Sequence, residues 1–284
     1  MKTSLFFILL FLTRFGYAQP TSFSVAVSGK GQPIILIPGY SCSGEVWNET
    51  VAHLKDHYEC HVLTLPGFAG VAPIKPLVLE TVLDEVIRYI KDKHLQQPIL
   101  MGHSLWAFMS LWISIKEPNL VSKLICVDGV PFISAIINPK VSADSLRLLP
   151  MYNPDAVAQN FVNIPNDSYE TNMVKSMLTQ VSDSTRARQI AHWSALSDRR
   201  TLGYTLVEMS TTDLRKDIAA IHAPTLVLGS LYFNNEATTD RILNEQYKQL
   251  PAKTIRVAHT KHFIMYDDPT WFFKQLDQFL TDSH

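Results

Sequence analysis

Short unbroken apolar runs recur along this chain, each closed by a turn signal, and no other feature limits its fold as much. Pro33 to Ile37 (PIILI) stops at Pro38-Gly39, and His61 to Leu65 (HVLTL) stops at Pro66-Gly67. Pro98 to Met101, Lys123 to Val127, Thr225 to Leu228 and Thr254 to Val257 are runs of the same kind. Runs this short, without polar alternation, suit strands buried on both faces. Helical patterns lie between them. Leu79, Val82, Leu83, Val86, Ile87 and Ile90 fall at helical intervals, with Asp84, Glu85 and Arg88 on the other face. An apolar helix is expected from Leu105 to about Ile115, ended by Pro118, and an amphipathic one from about Trp271 to Leu280. Strands separated by helices predict an α/β fold: a mostly parallel sheet with helices on both faces.

The rhythm breaks once. Between residues 131 and 217 no buried strand is evident. The segment offers polar helical stretches instead, among them Asp155–Phe161, Glu170–Val181 and Thr185–Leu196. Bare loops of that length are rare in compact domains, so the segment reads as a helical lid inserted into the core. The expected organisation is a core of residues 19–130 and 218–284, a lid of residues 131–217, and a leader of residues 1–18.

The leader carries Met1-Lys2, an apolar stretch from Leu5 to Leu12, and Gly16-Tyr17-Ala18 before Gln19. A positive start, a short apolar centre and small residues at −3 and −1 describe an export signal, with cleavage expected after Ala18. The apolar stretch is far below the roughly 18–20 residues that span a bilayer, so stable membrane insertion is not expected. A secreted or periplasmic location follows as an expectation. The chain has 25 Lys and Arg against 26 Asp and Glu. That balance leaves no basic excess to neutralise phosphates, which argues against nucleic acid as a partner. Three cysteines cannot make a disulfide framework, and at least one must stay unpaired within the chain. Cys126, inside the run LICV, reads as a small buried hydrophobe.

Chemistry concentrates at Gly102-His103-Ser104-Leu105-Trp106, where a strand ends in Gly-x-Ser and a helix begins at once. A serine on so sharp a turn projects away from the sheet, and the next backbone N–H lies near the reacting atom. Serine is a weak nucleophile alone, so such a site requires a histidine base and an acid that orients it.

With Ile37-Pro38-Gly39-Tyr40 after one strand, Leu65-Pro66-Gly67-Phe68 after the next, the Gly-His-Ser turn, and Ala258-His259-Thr260-Lys261-His262-Phe263 after the last, the mature chain resembles the α/β-hydrolase fold family. The resemblance implies the order nucleophile, acid, histidine, with Ser104 as nucleophile and His262 as base. It further implies an oxyanion hole formed by the backbone N–H groups of Tyr40 and Leu105. His259 is the rival base, and His103 reads as a supporting residue inside the turn. His53, His57 and His61 are spaced by four, but His61 opens a strand, so the three cannot share a helical face to hold a metal. For the acid, family members commonly place it after the strand Thr225 to Leu228, where Tyr232 stands at the usual aspartate position and Glu236 and Asp240 are the nearest acids. Asp128, after the preceding strand, is the competing candidate.

Trp106 departs from the family pattern, which places a small residue there because helix and strand pass closely. Three forms are open: an indole that narrows the pocket, one housed by small neighbours such as Ala107, or one that damages the enzyme. A serine nucleophile excludes the family members that use aspartate, the haloalkane dehalogenases and epoxide hydrolases. The implied reaction is hydrolysis of a carboxylic ester or related small acyl compound through an acyl-enzyme. A catalytically weakened or non-catalytic binding protein is the alternative, favoured by Trp106 and the missing acid at the usual place. No Gly-x-Gly-x-x-Gly follows a strand and no phosphate loop occurs, so no cofactor or metal is expected.

Overall fold

The structure is a computed structural model that describes residues 21–75, 78–231 and 235–282. The expected leader of residues 1–18 and Tyr232 lie outside the described residues. Seven strands form one sheet: β1 (Ser24–Gly29), β2 (Gln32–Ile37), β3 (Tyr58–Thr64), β4 (Ile99–His103), β5 (Lys123–Val127), β6 (Thr225–Ser230) and β7 (Lys253–Ala258). Their spatial order is β1-β3-β2-β4-β5-β6-β7, with β1 antiparallel to β3 and all other pairs parallel. The six expected strands are all present. The seventh, β1, carries no apolar run (SVAVSG), and five of its six residues are exposed. It is an edge strand held by backbone pairing, from Ser24 opposite Thr64 to Gly29 opposite Glu59.

The central strands behave as their apolar content requires. Ile34, Ile35, Leu36 and Ile37 of β2 are each at most 1% exposed, because helices cover both faces of the sheet. Burying each such side chain is worth about 1.5–3 kcal/mol. The covering helices of the core are α1 (Asn48–Leu54), α2 (Leu79–Asp92) and α3 (Leu105–Lys116) before the insertion. The insertion itself holds α4 (Ala143–Arg147), α5 (Pro154–Asn163), α6 (Asn166–Gln180), α7 (Ser184–Leu196) and α8 (Arg199–Ser210). The core resumes with α9 (Glu236–Gln246), α10 (Ile264–Asp267) and α11 (Pro269–Thr281). None of the described helices is long and apolar enough to cross a membrane.

The inserted helices are tied to the core by specific polar contacts. The N–H of Asp198 donates to the carbonyl of Gly67 (2.8 Å), and the Ser197 hydroxyl accepts from the N–H of Ala69 (2.9 Å). Tyr40 donates its phenol to the carbonyl of Leu202 (2.6 Å). Glu208 on α8 accepts the N–H of Leu79 (2.8 Å), satisfying one of the free donors at the start of α2. Gly67 needs its left-handed φ of +79°, and a Cβ there would lie 2.5 Å from the Thr201 hydroxyl on α8. The insertion thus seats directly on the loop after β3.

All three cysteines are free and buried. Burial pushes the thiols of Cys42 and Cys126 up to about 12 and that of Cys60 up to about 11.

Candidate active site

Ser104 sits between β4 and α3 with φ 56° and ψ −123°, a strained conformation for a residue with a side chain. Its N–H donates to the carbonyl of Val127 (2.8 Å), and its own carbonyl accepts from Ala107 (3.0 Å). The turn closes this tightly only because glycines face it. A Cβ on Gly102 would lie 2.1 Å from the Trp106 carbonyl oxygen, and one on Gly129 would lie 2.4 Å from the Ser104 carbonyl oxygen and 2.5 Å from the Ala107 Cβ.

Those contacts explain how Trp106 is housed. The crowding at the turn falls on Gly102, Ala107 and Gly129, not on the Cβ of residue 106. The indole is 1% exposed and packs edge-on against Phe68, with ring centroids 6.1 Å apart. It lines neither of the two cavities that Ser104 opens on. Of the three forms considered for Trp106, the structure does not take the one in which the indole narrows the pocket. The cost is local: its indole N–H is buried with no acceptor among the described residues.

Asp128 follows β5 in a left-handed conformation, φ 47°. Its N–H donates to the carbonyl of Leu228 (2.7 Å). One carboxylate oxygen accepts the N–H of Ser230 (2.7 Å), and the other accepts the Ser230 hydroxyl (2.7 Å). That second oxygen also lies 2.5 Å from Nδ1 of His262. The two side chains are 7% and 10% exposed. A carboxylate at Nδ1 fixes the proton there and makes Nε2 the basic nitrogen of the ring.

The loop carrying His262 is anchored to the insertion. Asp267 accepts from the N–H of Lys261 (3.1 Å) and from the N–H of Ser182 (2.8 Å), while Phe263 donates its N–H to the carbonyl of Gln180 (3.2 Å). His103 supports the same loop from below. It is wholly buried, donates from Nε2 to the carbonyl of His262 (3.1 Å), and lies between His262 and Phe263 with ring centroids 4.7 Å from each. Burial, reinforced by the neighbouring His262, holds its pKa well below the ordinary value, so His103 is neutral.

Glu236 pairs with His259 (3.0 Å) on the surface, and both side chains are more than half exposed. Asp240 is exposed on α9. Neither acid stands at Nδ1 of His262. The pairing also takes His259, the rival base, out of the cavities. The three histidines spaced by four are separate. His53 pairs with Asp277 (2.8 Å), and His61, inside β3 and not at its start, bonds Tyr89 (2.7 Å) and Glu59 (2.8 Å). Among the described residues no three His, Cys, Asp or Glu side chains converge as metal donors.

Tyr40 lies on the loop after β2. A Cβ on the preceding Gly39 would lie 3.6 Å from the Ser104 Cβ, so this backbone runs beside the serine. Neither the Tyr40 nor the Leu105 N–H donates to an acceptor among the described residues, which leaves both available to an oxygen bound between them. Ser104 and His262 line two cavities together. One, of about 60 Å³, is apolar and lies between the loop after β5, α8 and α9; the other, of about 210 Å³, lies between Tyr40 and the helices α6 and α7. Ser230 is the site residue that sequence reasoning missed. Nothing local marks it, since its role exists only when β6 lies beside β5.

The sequence profile of the alpha/beta hydrolase family matches residues 34–275. The chain belongs to the alpha/beta hydrolase family. A pimeloyl-[acyl-carrier protein] methyl ester esterase of Proteus mirabilis is 24% identical over 249 residues, covering 84% of this chain and 90% of that one. One of the same name from Vibrio cholerae is 30% identical over 109 residues, 38% of this chain, and the match spans only 41% of that protein's length. Among solved structures, the enol-lactonase of Burkholderia xenovorans superposes with a TM-score of 0.75 at 14% identity, covering 92% of this chain and 96% of that one. The malate-bound esterase of Thermogutta terrifontis superposes at 0.73 with 16% identity, over 91% and 92% of the two chains. At such identities these two are likenesses of fold.

Proposed function

We propose that this protein is an exported serine hydrolase that cleaves carboxylic esters of small acyl compounds through Ser104, His262 and Asp128. The observation that carries the reading is the 2.5 Å contact between Asp128 and His262 beside a serine held at φ 56°. In this mechanism His262 Nε2 takes the Ser104 proton as Oγ attacks the ester carbonyl. The negative oxygen that develops is met by the N–H groups of Tyr40 and Leu105. Asp128 keeps the ring in the required tautomer and stabilises the imidazolium. His262 then protonates the departing alcohol, and water repeats the sequence to free the acid and restore Ser104.

The relatives of Proteus and Vibrio named as methyl ester esterases support an ester substrate. A non-catalytic binding protein is less well supported. Of the features that favoured it, the absent acid has an account in Asp128, and the Trp106 indole stays out of both cavities beside Ser104.

A fluorophosphonate probe tests the reading. Labelling at Ser104, lost in both Ser104→Ala and His262→Ala, is the expected result; unlabelled folded protein overturns it. The export proposal rests on residues 1–18, and N-terminal sequencing of the exported protein is expected to begin at Gln19.

A further inference from the structure

We infer that the substrate is an ester whose two arms are unequal and both uncharged, with one short apolar arm held in the smaller cavity. This rests on the serine hydrolase reading and adds the class of substrate to it. The smaller cavity measures about 60 Å³, whereas a single water requires about 10–15 Å³, so it admits a few carbon atoms and no more. Phe108, Val130, Ile133, Ile136, Met209 and Ile242 surround it. They come from α3, the loop after β5, α8 and α9, so the slot is walled by packed elements on several sides.

The larger cavity, about 210 Å³, takes the longer arm. Its wall mixes Phe161, Met173 and Ile190 with Tyr40, Ser176 and Gln180, groups that accept an arm carrying ether, amide or hydroxyl functions. Among the described residues lining either cavity there is no lysine, arginine or glutamate, and the one aspartate is Asp128. A carboxylate arm entering either cavity would meet no lysine or arginine to offset its desolvation, and in the smaller one it would also face Asp128. Arg199 of the insertion is stacked over the Tyr169 ring, 3.0 Å from its centroid, and lines neither cavity.

The experiment uses the purified mature protein, labelled first with fluorophosphonate to establish an active Ser104. Two ester series are then compared by kcat/KM: methyl, butyl and octyl esters of one long neutral acid, and acetyl, butyryl and octanoyl esters of one long neutral alcohol. In one series activity is expected to fall at least tenfold from the shortest to the longest member, since each methylene misfit costs about 10-fold or more. Which series falls identifies whether the slot holds the alcohol or the acyl arm. A terminal carboxylate on the long arm is expected to lower kcat/KM at least tenfold relative to its methyl ester. Ile242→Ala, at a partly exposed position that leaves the catalytic groups in place, is expected to shift the optimum of the falling series to a longer chain. Labelling with a flat length profile in both series, or with a preference for the carboxylate, overturns this inference while leaving the hydrolase standing. Absence of labelling overturns both.

Discussion

Oδ2 of Asp128 lies 2.5 Å from Nδ1 of His262, across 134 residues of sequence, and the same oxygen accepts the hydroxyl of Ser230. The carboxylate that meets His262 therefore stands at the end of β5, not after β6. The strand β6 contributes a serine that braces it. Asp128→Asn is expected to lower kcat about 10⁴-fold with little change in stability, because the amide holds the ring in the wrong tautomer. Glu236→Gln, which breaks only an exposed pair with His259, is expected to leave kcat unchanged. Steady-state kinetics of the two variants check this; a large loss in Glu236→Gln with an active Asp128→Asn would reassign the acid.

Ser230 donates both its N–H and its hydroxyl to the Asp128 carboxylate, each at 2.7 Å. Ser230→Ala keeps the first bond and removes the second. A hydrogen bond to a charged group is worth about 1.5–3 kcal/mol, so kcat is expected to fall about 10- to 100-fold with KM nearly constant. An equal rise in KM would mean that Ser230 shapes substrate binding instead.

Trp106 is buried against Phe68 with an orphaned N–H. Trp106→Phe removes that donor, whose burial costs about 1–3 kcal/mol, and gives up part of the ring area, so the two effects nearly cancel. Its Tm is expected to stay within a few degrees of the parent. Trp106→Gly leaves a large void and is expected to cost about 3–5 kcal/mol of stability. Thermal melts decide: a Gly variant as stable as the parent would show that the indole is not packed as described.

His103 is neutral and wholly buried, with its pKa held well below the ordinary value near 6.5. The unfolded chain binds a proton there more readily than the folded one, so this group's contribution is complete above about pH 6.5 and fades as the pH falls through the folded value. The parent is expected to lose Tm faster than His103→Gln between pH 7 and pH 5. Parallel melting curves for the two proteins would contradict this.

The buried strands were legible because their apolar runs are continuous, and the helices because α2 and α11 alternate at helical intervals. The strand β1 was not, since SVAVSG is mostly exposed and owes its conformation to pairing with β3. The helix α9 hides in a polar sequence (EATTDRILNEQ) that becomes a helix by capping at Asn235 and packing of Leu243. Ser104 and His262 are each flagged by what precedes them in the chain. Asp128 stands in the sequence as a candidate beside Glu236 and Asp240, but nothing local separates the three; the register of β5 beside β6 brings Asp128 alone to Ser230 and His262.

The buried thiols of Cys42, Cys60 and Cys126 have a consequence for how the molecule meets oxidants. A thiol with a pKa of about 11 or 12 presents almost no thiolate near neutrality, and thiolate is the form that exchanges with disulfides. With no disulfide among its three cysteines, the fold is held without a covalent cross-link, and these thiols are poor partners for exchange while the chain stays folded.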